Sequence, residues 1–343
     1  MPSIVSFDFD DHRAGCHSPM GTGILCRMST ATWTSSGHLL GLEGLTREQF
    51  HSILDDAESF LPAVQGITDM GDVLSGRVVA NLFLENSTRT RVSFSVAARR
   101  LGADVVDLLG STSSASKGES LVDTATNIAA MGVDGLVVRC SESGGAALIA
   151  EHVNIPVLNA GDGRHEHPTQ GLLDLLTMTR HLDRRDLDDV TVAIVGDIAS
   201  SRVARSNIHS LTTCGANVLL VGPESLVPTE FESMVSPGPG SGTVRISHDL
   251  DAVLDQIDII MMLRVQYERH DGEGMPDDYR ERFGLDVQRA DRLGPGVPVL
   301  HPGPINRGFE LAHEVADGER SLILEQVANG VAVRMAALAG LLG

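Results

Sequence analysis

The stretch RVVANLFLENSTRTRVSFSVAARRL (77–101) sets the reading of the whole chain. Residues 77–84 form an apolar, β-branched run that is too short for an ordinary helix, which predicts a strand buried on both faces. Residues 91–101 carry the spacing of a helix. Between them, ENSTRT gathers hydroxyls and a guanidinium where a strand hands over to a helix. Helix N-termini carry unpaired backbone N–H groups and the positive end of the helix dipole, so anions bind there. Capping would account for one of the hydroxyls at Ser87, Thr88 and Thr90. The whole cluster with Arg89 fits a phosphate, whose oxygens an arginine fork matches in pairs.

The same alternation repeats along the chain. Further strands are expected at 104–109, 135–140, 156–160, 190–197, 217–223, 258–263 and 298–302. Helices are expected near 120–131, 144–152, 168–181, 201–214 and 249–256. Apolar strands each followed by a helix imply parallel sheets covered on both faces. The charged segment RHLDRRDLDD (180–189) reads as a break, so the expected fold is α/β, with two doubly wound parallel-sheet domains joined by helices. The first domain is expected over 41–180 and the second over 181–321. A last helix, about 322–343 and apolar nearly all round, is expected to be buried and to pack back on the first domain. Residues 1–40 lack sustained periodicity and are expected to form a poorly ordered extension. After it, Thr46 with Gln49 is a capping-box signal for a helix to about residue 60. The polar segment 267–282 is long for a tight connection and is expected to be a mobile, functional loop.

Composition narrows the function. The 343 residues carry a formal net charge of −20, a surface that repels nucleic acid and anionic membranes. A small anionic ligand in a focused basic pocket remains compatible with it. The four cysteines, Cys16, Cys26, Cys140 and Cys214, are scattered without a CxxC pair, which argues against a disulfide framework or structural zinc. His165 beside Glu166 resembles a metal pair but lacks a third ligand, so no metal site is expected. VAIVGDIASSR (192–202) lacks GxGxxG, which weakens a dinucleotide reading. The acidic N-terminus differs from a basic signal peptide, and no apolar run is long enough to span a bilayer, so a cytoplasmic location is expected.

FLENSTRTRVSF (83–94) closely resembles the carbamoyl-phosphate signature of the aspartate/ornithine carbamoyltransferase family. SSASKGESLVDT (113–124), VVRCSE (137–142), NAGDGRHEHPTQGLLDL (159–175), GDIASSR (196–202), MMLRVQYER (261–269) and LHPGPINRGFE (300–310) resemble its other motifs, in family order. The resemblance runs from about residue 40 to the C-terminus. Ornithine-using members typically read HPCQ, SMG and HCLP where this chain has HPTQ, RVQ and HPGP. An aspartate has two carboxylates, which Arg202, Arg264 and Gln266 would meet, whereas ornithine's cationic side chain would not be received this way.

The resemblance implies transfer of a carbamoyl group from carbamoyl phosphate to L-aspartate, without metal, redox cofactor or covalent enzyme intermediate. It implies that Ser87, Thr88, Arg89 and Thr90 hold the phosphate. Arg139, His167 and Gln170 would meet the carbamoyl group, with Arg89, Thr90, Arg139 and His167 polarising its carbonyl oxygen. Ser113 and Lys117 would reach into a neighbouring subunit's site, making a homotrimer obligatory, and Lys117 would also meet aspartate. Pro302, Gly303 and Pro304 would receive the amino group through backbone carbonyls, with a cis bond before Pro304. Glu85 would pair with Arg202 and Arg269 on domain closure. Alternatives are another amine as acceptor, ornithine-like, or a non-catalytic homologue. Partners consistent with the family are a regulatory chain or a dihydroorotase, beyond the two small-molecule substrates.

Overall fold

The computed structural model describes residues 36–109, 119–235, 238, 240–265 and 276–343. Helix α1 (Arg47–Ser59) opens at Thr46, whose hydroxyl accepts from Gln49 N–H while the Gln49 side chain accepts from Thr46 N–H, a complete capping box. A short α2 (Leu61–Val64) follows. The first sheet is then built from β1 (Val78–Phe83), α3 (Thr88–Arg100), β2 (Asp104–Leu109), α4 (Leu121–Ala130), β3 (Gly135–Cys140), α5 (Gly145–Ala150), β4 (Val157–Asp162) and α6 (Pro168–His181). The second contains β5 (Thr191–Val195), α7 (Arg202–Thr213), β6 (Asn217–Val221), β7 (Val244–Ser247) and β8 (Ile259–Met262). It continues with α8 (Tyr279–Phe283), α9 (Val287–Arg292), β9 (Val299–Leu300) and α10 (His313–Ala316); α11 (Ile323–Leu342) closes the chain.

Every strand pair is parallel, in the orders β2-β1-β3-β4 and β7-β6-β5-β8-β9. Alternate residues serve opposite faces of each strand. Ala80, Leu82, Leu136 and Val138 pack under α4 and α5, whereas Val79, Phe83, Val137 and Leu158 face a large shared core. Val192, Ile194, Val218 and Leu220 from the second sheet join that same core. Burial of both faces of the inner strands explains their nearly unbroken hydrophobic runs in the sequence. Helix α11 packs against α1, α2, α3 and α6, so the chain's end returns to the first lobe.

Two expectations needed correction, and one strand was missed. Residues 249–256 form turns and one 3₁₀ turn (Leu254–Gln256) instead of a helix. Asp249 uses its carboxylate on Ala252 N–H, and Asp251 binds Arg289 and Arg292, so local side-chain bonds compete with helical ones. The segment 267–282 is not all loop, since α8 begins at Tyr279, whose side chain is fully buried. Strand β7 was not anticipated; it is a four-residue, half-buried edge whose alternation is too short to stand out.

Ordered pairing reaches back to Leu39, which is buried and bridges Leu158 beside β4. The expected extension up to residue 35 lies outside the described residues. The charged segment 180–189 is tied down along α1, where Arg47 meets Asp186 and Asp188, and Arg185 meets Asp55 and Glu58. No helix among the described residues is long and apolar enough to cross a membrane.

Candidate active site

The carboxyl ends of β1 and β3, the N-terminus of α6 and the carboxyl end of β8 converge on one cleft of about 1210 Å³. Ligands of open parallel sheets bind at such edges because the following helices point their N-termini there. Ser87 is the N-cap of α3, yet its side chain makes no capping bond, so local capping does not consume the hydroxyl. Ser87, Thr88, Arg89 and Thr90 all line the cleft. Facing them are Arg139 from β3, Arg202 from the first turn of α7 and Arg264 just after β8. Guanidiniums from both lobes thus share one cavity.

Their electrostatics are consistent with that crowding. Burial and the neighbouring Arg264 pull the Arg89 guanidinium below its ordinary range. Glu85, at the end of β1, accepts from Arg139 Nη2 at 3.0 Å and from Arg202 Nη2 at 2.5 Å, through the same oxygen. Arg139 also donates from Nη1 to the Ala160 carbonyl at 3.0 Å. Gly161, at φ 113°, lies beneath both guanidiniums: an added Cβ would come within 2.9 Å of Arg139 Nη1 and 3.2 Å of Arg202 Cδ. The positive φ favours glycine here, and a Cβ would also press on both arginine side chains.

His167 caps α6 and is almost fully buried. Neither ring nitrogen has a partner among the described residues. Burial, with Arg139, Arg334 and Arg202 nearby, holds its pKa well below the ordinary histidine value, so the ring is neutral. Its backbone N–H donates to Ser206 Oγ on α7, and Ser206 Oγ donates to Glu166 Oε2 at 2.8 Å. Glu166 also accepts from the N–H groups of Leu42 and Glu43, while His165 faces Asp162. The pair that resembles a metal site in the sequence therefore points in different directions.

Beneath the cleft lies a network that joins the HPTQ motif to α7 and α11. Gln170 donates its Nε2–H to Asp174 Oδ1 at 2.9 Å, which leaves its amide oxygen for the cleft. Gln326 of α11 donates to the same oxygen at 2.7 Å, and Asn207 of α7 donates to Oδ2 at 2.8 Å. Burial pushes the Asp174 carboxyl up to about 6, against these three donors. Arg334 of α11 lines the cleft floor and donates to Ser93 Oγ; burial pulls it down to about 10, with Asp174 opposing the shift. An arginine within the long apolar second half of the helix was the sequence signal for it, since such a charge needs a reason to be buried.

Pro302, Gly303 and Pro304 line the cleft, and the Gly303–Pro304 bond is cis. Gly303 sits at φ 69°, and a Cβ there would stand 3.3 Å from Arg89 Cζ. Glu85 contacts Arg202. Its partnership with Arg139 was not foreseen. Ser113, Lys117, Gln266 and Arg269 lie outside the described residues.

Comparison with known proteins places this geometry. Residues 37–180 match the aspartate/ornithine carbamoyltransferase carbamoyl-P binding domain, and residues 188–341 match the Asp/Orn binding domain of the same family. The chain belongs to the aspartate/ornithine carbamoyltransferase family. The aspartate carbamoyltransferase catalytic subunit of Myxococcus xanthus is 50% identical over 303 residues, covering 88% of this chain and 98% of its own. That of Rhodospirillum rubrum is 51% identical over 309 residues, covering 89% and 94%. Among solved structures, Trypanosoma cruzi aspartate transcarbamoylase in complex with carbamoyl phosphate aligns with a TM-score of 0.83 at 28% identity, over 92% of this chain and all of that one. Ornithine carbamoyltransferase from Pyrococcus furiosus aligns at 0.80 and 27% identity, over 89% and 97%. Backbone similarity alone thus does not choose the acceptor amine.

Proposed function

We propose that this chain transfers the carbamoyl group of carbamoyl phosphate to the α-amino group of L-aspartate, giving N-carbamoyl-L-aspartate and inorganic phosphate, a step of pyrimidine synthesis. One observation carries the reading: Arg89, Arg139, Arg202 and Arg264, drawn from both lobes, line a single cleft at the start of α3. Relatives about 50% identical over most of the chain, named aspartate carbamoyltransferase, support the choice of acceptor.

The first lobe takes carbamoyl phosphate. Ser87, Thr88, Arg89 and Thr90 hold its phosphate at the helix N-terminus. Arg89, Thr90, Arg139 and the neutral His167 donate toward the carbonyl oxygen, where negative charge develops. Donors of this kind are each worth about 3–4 kcal/mol in acyl transfer. Gln170, its amide nitrogen anchored on Asp174, offers its oxygen to the carbamoyl NH₂. Arg202, Arg264 and Gln266 meet the two carboxylates of aspartate in the second lobe. The carbonyls of Pro302, Gly303 and Pro304 receive the amino group.

The uncharged amine attacks the carbonyl carbon and a C–N bond forms. The tetrahedral oxyanion collapses as the C–O bond to phosphate breaks, and the departing phosphate takes the amine's proton. Holding two anions side by side is the main obstacle, and the gathered guanidiniums offset their repulsion. Glu85 already spans the lobes to Arg202, and Arg269 would join it on closure. The working form is a cytoplasmic homotrimer in which Ser113 and Lys117 of one subunit complete a neighbour's site.

The test is turnover of carbamoyl phosphate by the purified chain with L-aspartate or L-ornithine. Carbamoyl-aspartate as the main product is expected; a preference for ornithine overturns the assignment. Mixing Lys117→Ala with Arg89→Ala subunits should restore part of the activity that each lacks alone. A silent mixture would refute sites shared between subunits.

A further inference from the structure

The ring of His301 has no role in the transfer just described, yet its bonds are specified atom by atom. It lies at the end of β9, is 1% exposed, and borders the cleft directly before Pro302. The backbone N–H of Gly303 points at His301 Nδ1, 2.8 Å away. A backbone N–H can only donate, so Nδ1 must be the bare, accepting nitrogen. The proton therefore sits on Nε2, which faces Glu310 Oε1 at 3.3 Å. That oxygen also accepts from Asn306 N–H at 2.5 Å, just beyond the loop. The backbone of His301 is held in turn, its N–H donating to Gln326 Oε1 on α11. The charged groups facing the ring are Glu310 from its own loop, Arg89 from α3 and Arg264 after β8.

We propose that His301 is a positioning residue: as a neutral Nε2–H ring it clamps the Gly303 N–H, and so sets the direction of the Pro302–Gly303–Pro304 carbonyls that receive the attacking amine. The proposal rests on the reading of that loop given above. A second proton would have to enter at Nδ1, where it would meet the Gly303 N–H head-on and release the clamp. Gly303 also lies against the Arg89 guanidinium, so the released loop would disturb both the amine's receiver and a phosphate ligand. Burial, aided by Arg89 and Arg264 and opposed by Glu310, keeps the ring neutral below the ordinary histidine range.

Two near-isosteric variants separate positioning from bulk. In His301→Asn the amide oxygen falls near Nδ1 and accepts from the N–H two residues on, as asparagine does in turns. In His301→Gln the amide falls near Nε2, and Gly303 N–H loses its acceptor. Each variant loses the ring, so matching melting temperatures identify a pair with equal structural cost. The expectation is that His301→Asn retains kcat/KM for aspartate within about tenfold of the parent, while His301→Gln falls at least tenfold further. The parent-to-His301→Asn ratio should also decline at pH below the ordinary histidine range, a comparison in which ionisation of the substrate cancels. Equal losses in the two variants, or a ratio flat with pH, would overturn the proposal. Nitrogen-15 shifts of the His301 ring, assigned by their loss in His301→Asn, should report a protonated Nε2 and a bare Nδ1. The opposite tautomer refutes the clamp even in an active enzyme, whereas failure to use aspartate would refute the assigned reaction and leave the ring measurement standing.

Discussion

The two sheets present their carboxyl edges to the same cleft but equip them differently. The first lobe supplies a contiguous block, Ser87 to Thr90, on the opening turn of one helix, together with Arg139 on the adjacent strand and His167 at the N-cap of α6. The second supplies single guanidiniums far apart in sequence, Arg202 and Arg264, and a turn built around Gly303. A preformed helix terminus suits a compact dianionic group, because its donors are fixed before the ligand arrives. Separate arginines on separate elements suit a branched acid whose two carboxylates point apart. The division also assigns the lobes different consequences when they are damaged.

The largest effect is expected on the first side. Arg89→Ala should reduce kcat by about 10²–10³ while the circular dichroism spectrum and melting temperature stay near those of the parent. Near-native turnover would show that the helix terminus is not where charge develops. On the second side, Arg264→Ala should raise KM for aspartate by roughly 100-fold and leave KM for carbamoyl phosphate almost unmoved, the loss of a charge-assisted pair of about 2–3 kcal/mol. Equal changes in both constants would abolish the contrast between the lobes. Glu85 joins them, so Glu85→Gln should weaken aspartate binding by about tenfold, a modest figure because the carboxylate is partly exposed. Isothermal titration with a non-reactive dicarboxylate in the presence of phosphate would measure it.

The smallest effect on catalysis belongs to the floor shared by both sides. Asp174→Asn replaces an acceptor of three amide N–H groups with a side chain that accepts through one oxygen, and should cost about 2 kcal/mol of stability at neutral pH. Its pH course has a definite sign. With the folded carboxyl pushed up to about 6, the native state binds more protons than the unfolded chain between about 4 and 6. The parent's stability contribution from this group thus falls as pH rises through that window. The melting-temperature gap between parent and variant should narrow over the same range and level off above it, and a gap that widens would contradict the burial of an ionising Asp174.

Sequence periodicity revealed most of the fold because the inner parallel strands are buried on both faces, as at Val78–Phe83 and Thr191–Val195. It failed at Val244–Ser247, an edge strand with one solvated side, and at 249–256, where aspartates bind locally in place of a helix. Residues of the cleft were legible where they cluster in a motif, as in STRT and HPTQ. Asp174 with Gln326, or Gly161 under Arg139 and Arg202, could not be read, because their meaning lies in contacts across long stretches of chain. Resemblance supplied the expected pairing of Glu85 with Arg202, but only side-chain geometry disclosed that Arg139 shares the same oxygen.

Helix α11 carries a consequence for how the protein comes into being. It fills the core against α1, α3 and α6 and contributes Gln326 and Arg334 to the floor of the cleft, yet it is made after every strand of both sheets. A nascent first lobe leaving the ribosome can pair its strands but lacks the wedge that seals them. Domains usually mature in order of synthesis; here the earlier one must wait for the later, and a chain clipped before residue 323 would expose the heart of the part already built.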